Sequence, residues 1–171
     1  MIKRFLFFIF LISLIISPLY SSEDKNAKDG VWNTGVDDAS HMKVTNSNYK
    51  KGIDALKQAK RYKKKGKSTK AKKRFNNAIN FFTLANGVSP NDPDILYYLG
   101  YSLGEVGDLL MAEIHYEQGL KINPQHISLN EHLGKLYVET KRINKAKERL
   151  KVLENCRCEE FKKLQDLISK Y

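Results

Sequence analysis

Two cysteines, Cys156 and Cys158, stand one residue apart and are the only thiols of the chain. A C-x-C pair has three chemistries open to it: a local disulfide that fixes a turn, free thiols or an intermolecular bond, and a reducible or soft-metal site suited to copper. No further ligand accompanies the pair, since His41, His115, His126 and His132 show no metal spacing. No nucleophile stands beside a suitable base, and no glycine-rich loop offers to cradle phosphate. The pattern predicts no enzyme, no metal and no cofactor.

The second chemistry-bearing group is a run of cations, KRYKKKGKSTKAKKRF. Between Lys50 and Arg74 thirteen Lys or Arg face one acid, Asp54, whereas residues 93–126 carry five acids and one Lys. Lys60, Lys63, Lys64, Lys65 and Lys67 form the candidate basic patch. It is either a solvated face of a helix hairpin or a dock for anionic lipid or an acidic partner. The net charge of +11, from 30 Lys and Arg against 19 Asp and Glu, also favours anionic neighbours.

Residues 1–22 read as a secretory signal. Lys3 and Arg4 open it, an apolar run interrupted only by Ser13 follows from Phe5 to Ile16, and Pro18 precedes the small residues Ser21 and Ser22. Cleavage is expected near Ser21 or Ser22, with an uncleaved anchor reaching Tyr20 as the alternative. The run is short of the ~20 apolar residues that span a bilayer. No cysteine lies near the cleavage site, so lipoprotein processing is not expected. An exported, periplasmic protein follows, for which nucleic acid is not an expected partner. The basic charge then points to envelope lipid, lipopolysaccharide or acidic protein, and oxidation becomes the natural state of the two cysteines. Residues 23–48 are polar and aperiodic and read as a flexible linker. Its Trp32 is either incidental or docked on the domain or a partner.

The remaining residues, 49–171, have helical spacing. Leu96, Leu99, Gly100 and Leu103 fall at i, i+3, i+4 and i+7 and share one face. Gly107-Asp108 supplies a break and an N-cap, and a second helix with Ala112, Tyr116 and Gly119 on one face ends at Asn123-Pro124. Small residues at facing positions let the two helices approach while bulky neighbours interlock around Gly100 and Ala112.

Displacement by 34 residues reproduces the pattern: Leu133, Gly134, Tyr137 and Ala146 forward, and Ala78, Phe82, Ala85 and Pro90 backward. This resembles the tetratricopeptide repeat, whose Leu-Gly, Tyr, Ala, aromatic and Pro positions recur at that period. The resemblance implies an all-α, helix-turn-helix repeat solenoid with units at 49–92, 93–126 and 127–158. A capping helix, 159–171, follows, with Phe161, Leu164 and Ile168 on one face. The first unit departs from the pattern. Its turn is expected at Gly66, 24 residues before Pro90 rather than the 17 that separate Gly107 from Pro124, so its second helix should be seven residues longer. In the third unit Cys158 takes the usual proline position and Asn130 the first apolar one.

What the resemblance implies about function is a concave groove lined by first-helix positions 2, 5, 9, 12 and 13. With Pro93 and Ile127 as starts, these are Asp94, Tyr97, Tyr101, Gly104 and Glu105, then Ser128, Glu131, Lys135, Val138 and Glu139, with Tyr98 at the margin. His132 falls among the groove-side positions of its helix but reads as an exposed or satisfied histidine. Paired tyrosines suit an extended or helical peptide, offering apolar area and a polar tip. The alternative is that Tyr97 and Tyr101 pack on the first unit and meet no ligand. The Lys and Asn set by which some members clamp a terminal carboxylate is absent. The chain is similar to short exported repeat proteins of Gram-negative bacteria. The expected role is a non-catalytic adaptor of the cell envelope binding a peptide or protein segment, with an anionic lipid or lipopolysaccharide surface as the alternative ligand. Oligomeric state is not specified by these residues.

Overall fold

The computed structural model describes residues 38–171, with side chains from residue 46 onward. The signal at 1–22, the first part of the linker at 23–37 and Trp32 lie outside the described residues. Among those described there are seven helices and no strand: α1 Asp38–Lys64, α2 Ser68–Val88, α3 Pro93–Val106, α4 Leu109–Ile122, α5 Ile127–Glu139, α6 Ile143–Leu153 and α7 Glu159–Ile168. They stack as three hairpins, α1/α2, α3/α4 and α5/α6, each laid on the one before, with α7 closing the end against α5 and α6. None of these helices is long and apolar enough to cross a membrane.

The turns follow from local chemistry. Gly66 at φ 67° and Gly107 at φ 97° occupy the left-handed region that L side chains avoid. Asp108 then caps α4 by accepting from the Met111 N–H at 3.1 Å, and Asp92 caps α3 at Asp94 and Ile95. Lys141, at φ 60°, stands where the 34-residue period would place Gly107's counterpart.

As the position of Gly66 predicts, α2 has 21 residues against 14 in α4. Two turns are added without rotating the buried stripe Ala71, Phe75, Ala78, Phe82 and Ala85. The linker expectation at 23–48 needs correction, because α1 already begins at Asp38 and residues 38–48 are helical. Apolar periodicity reports burial rather than helicity. A helix nucleated on the packed segment from Tyr49 onward extends at little cost into polar sequence, and Asp38 suits its positive end.

Two buried clusters hold the stack. One joins α1, α2 and α3 through Leu56, Phe75, Phe82, Ile95 and Leu99; the other joins α4 to α7 through Tyr116, Leu129, Leu133, Leu153 and Leu164. Burying each such side chain stabilises the fold by about 1.5–3 kcal/mol relative to exposure. The clusters meet beneath α3, whose Tyr101 packs with the first and Tyr97 with the second.

Candidate functional site

The first helices of the hairpins, with α7, supply one continuous lining over that seam. On α3, Tyr97 and Tyr101 lie one turn apart with ring centroids separated by 6.3 Å. From α5, His132 sets its ring edge-on to both, at 5.0 Å from Tyr97 and 5.4 Å from Tyr101, and reaches Tyr116 of α4 at 6.2 Å. From α1, the Lys60 ammonium sits 4.6 Å over the Tyr101 ring, within cation–π range. Two cavities of about 310 and 370 Å³ flank this aromatic centre and share Tyr101, His132 and Lys135. Glu105 and Glu139 border the first; Glu160 and Lys163 of α7 border the second.

The polar groups are ordered by pairing. Lys63 meets Glu105 at 2.6 Å, tying the end of α1 to α3. His132 Nδ1 faces two acceptors, the Ser128 carbonyl at 3.0 Å and the Glu131 carboxylate, so Nδ1 carries the proton. Nε2 hydrogen-bonds to nothing among the described residues. Glu131 is 5% exposed. Burial pushes its carboxyl up, but the hydrogen bond and charge of His132, with Lys135 and Lys163, outweigh this and leave it below the usual carboxylate range. Burial, reinforced by the negative charges of Glu131 at Tyr97 and Glu105 at Tyr101, raises both phenols well above their ordinary value. They stay protonated across physiological pH as hydrogen-bonding tips on apolar rings. Such a surface binds by stacking, hydrogen bonds and rim charge.

The tetratricopeptide repeat family model matches residues 93–126, the second hairpin. The tetratricopeptide domain of Arabidopsis OM64 has the same fold, with TM-score 0.63 and 17% identity over 76% of this chain and 98% of that one. The tetratricopeptide domain of Sgt2 from Aspergillus fumigatus follows at TM-score 0.54 and 16% identity, covering 70% of this chain and 77% of that one. The second hairpin matches the tetratricopeptide repeat, and the helical stack has the fold of tetratricopeptide domains. The first such domain of Spaghetti (RPAP3), solved bound to the HSP90 peptide SRMEEVD, is similar to it in fold at TM-score 0.54 and 18% identity, over 71% of this chain and 93% of that one. No curated protein matches the sequence.

Within the repeat stack, the residues expected to line the groove divide. Tyr97, Tyr101, Gly104, Glu105, Ser128, Glu131, Lys135 and Glu139 do line its cavities. Tyr98 does not join them. It stacks on Phe82 of α2 at 5.2 Å and meets Tyr49 of α1 edge-on at 5.9 Å, so it packs on the first hairpin. Val138, at 2% exposure, belongs to the core. Asp94 is exposed and accepts from His126 Nε2 at 3.1 Å, while His126 Nδ1 caps α5 at the Leu129 N–H.

The basic patch also divides. Lys60 and Lys63 are groove residues, while Lys64, Lys65 and Lys67 stand exposed around the Gly66 turn. The sequence places His132 on the groove side of its helix as an exposed or satisfied histidine, and the structure sets it at the aromatic centre; the α7 pair Glu160 and Lys163 is what the sequence reading missed at this site. Nothing in the sequence announced α7 as a wall. Cys156 and Cys158 are joined through their sulfurs at the α6–α7 junction, and among the described residues no group of His, Cys, Asp or Glu gathers to hold a metal ion.

Proposed function

We propose that this repeat protein is a non-catalytic adaptor of the bacterial cell envelope that holds a peptide or protein segment in its concave groove. The observation that carries the reading is convergence: Lys60, Tyr97, Tyr101, His132, Lys135 and Lys163, from four helices, surround one cavity. Lys60 and Lys135 are not ion-paired with any carboxylate among the described residues. Tyrosine and histidine rings lose little conformational freedom on binding, which favours them as contact surfaces. A fold neighbour solved with a peptide supports the same use of the architecture. Export rests on the charged start and apolar run of residues 3–16.

The test is crosslinked capture from the envelope fraction followed by mass spectrometry. Wild type is compared with the Tyr97→Ala, Tyr101→Ala double variant and with His132→Ala, Lys135→Ala, which disturbs the core less. Loss of the same captured protein in both, with melting curves still cooperative, supports the groove; unchanged capture in both overturns it.

A second reading makes the basic end the principal site, binding anionic lipid or lipopolysaccharide. Lys64, Lys65 and Lys67 are exposed together at a hairpin tip. Vesicles with anionic headgroups should then be bound in a way that salt screens, and Gln at these three positions should release them while leaving capture by the groove intact.

A further inference from the structure

Away from the groove, and sharing none of its lining, a cleft of about 330 Å³ opens between α4 and α6 with α5 beneath it. We infer that this cleft binds a carboxylate carried on an aliphatic chain. Its floor is apolar: Leu120 from α4, with Leu133 and Tyr137 one turn apart on α5, at 8%, 2% and 5% exposure. Its rim is cationic: Lys121 from α4, with Lys145 and Arg149 one turn apart on α6. None of the three is ion-paired with a carboxylate among the described residues.

Arg149 is the telling member. It is half-buried, and its polar contact is Nη1 to Asn130 Oδ1 at 3.5 Å, the outer limit of a hydrogen bond. Arg142, at the other end of the same hairpin element, shows what a filled fork looks like. It gives two parallel bonds of 2.6 and 2.7 Å to Glu113, and its Nε donates to Thr140 at 2.9 Å. A guanidinium that has already lost part of its hydration meets a carboxylate at reduced further desolvation cost, and its planar fork matches the two oxygens.

The acids nearby do not fill that place. Glu117 accepts from the Tyr137 hydroxyl at 3.1 Å, and Glu148, beside Arg149 on α6, is not ion-paired to any of the rim cations. Three cations against two carboxylates leave the cleft positive, so an anion is attracted. The apolar floor selects against a small, strongly hydrated ion and for one with a hydrocarbon body. The volume is at the lower end of ligand pockets, which run from about 300 Å³ upward. The aliphatic chain lies on Leu120, Leu133 and the Tyr137 ring, and the carboxylate meets Arg149 with Lys145 and Lys121 at its sides.

The experiment uses the protein expressed from its full chain and purified as the cell processes it. The probe is decanoate bearing a diazirine in its chain, applied below its micellar range, with crosslinked peptides mapped by mass spectrometry. Labelling is expected on the segments carrying Leu120, Leu133 and Tyr137. Arg149→Gln and the methyl ester of the probe should each raise the half-saturating concentration about ten-fold, the effect of losing one charge-assisted pair. Arg149→Lys, which keeps the charge and much of the packing but not the fork, should weaken labelling by a smaller factor. Circular dichroism melts confirm that the variants are folded. Labelling elsewhere than the cleft, equal labelling by the ester, or labelling unchanged in both Arg149 variants would overturn the assignment.

Discussion

The ring of Tyr116 fills the space where a side chain on Gly100 would stand, a Cβ there lying 2.6 Å from Tyr116 Cδ1. Gly134 stands in the same relation to Leu164, at 2.5 Å, so the cap helix α7 seats on α5 as closely as α4 seats on α3. Gly100 and Gly134 are recesses for another helix's side chain rather than breaks in their own helices.

Gly100→Ala should therefore destabilise the domain by about 1–3 kcal/mol through overpacking, even though alanine gains about 1 kcal/mol of helix propensity. Gly104 provides the control. A Cβ there meets the Ala112 Cβ at 3.9 Å, an ordinary contact, so Gly104→Ala should be neutral or stabilising. Urea titrations of the two variants separate space from propensity.

Lys141 holds the left-handed conformation that glycine supplies at the turn of the second hairpin. Relief of that strain predicts that Lys141→Gly stabilises the fold by about 1 kcal/mol. The midpoint of denaturant unfolding should rise with its slope unchanged.

Ser102 is fully buried on α3, and its hydroxyl has no hydrogen-bond partner among the described residues. An unsatisfied buried hydroxyl costs about 1–3 kcal/mol of desolvation. Ser102→Ala removes that cost and leaves almost the same volume, so the melting temperature should rise; a fall would mean that the hydroxyl is satisfied in solution.

Stability should decline in two steps on acidification. Burial, opposed by a hydrogen bond to Gln118, holds the His115 imidazole below its ordinary 6.5. The unfolded chain therefore takes up that proton first, and stability present above 6.5 is lost as pH falls toward the folded value. The hydrogen bond from Arg142, with its charge and that of Lys145, outweighs burial and holds the Glu113 carboxyl below its ordinary 4.5. Its contribution is complete above 4.5 and is lost as pH drops through the lower, folded value; Glu131 acts in the same window. Melting temperatures measured against pH should lose the upper step in His115→Gln and show a smaller lower step in Glu113→Gln.

Much of the groove was legible in advance. Tyr97, Tyr101 and Lys135 could be placed because first-helix positions of a repeat recur at a fixed rotation about the helix axis. Tyr98 could not be, since its side was decided by which rings of the neighbouring hairpin, Tyr49 and Phe82, stack against it. Lys60 and Lys63 read as part of one basic patch, yet Tyr101 and Glu105 lie within their reach only once α1 is stacked beside α3.

By itself the sequence determined what depends on neighbours along the chain: seven-residue extensions that leave a helical face in place, glycine turns at Gly66 and Gly107, aspartate caps, and a 34-residue period that dictates stacked hairpins. Only the tertiary structure decided what depends on the angle between successive hairpins. That angle depends on side-chain packing between hairpins, as where Leu129 of α5 fills the space beside Gly119 of α4, rather than on any local pattern. It brings His132 among three tyrosines, turns Glu160 and Lys163 of α7 into a groove wall, and leaves Arg149 over an apolar floor, ion-paired to no carboxylate among the described residues.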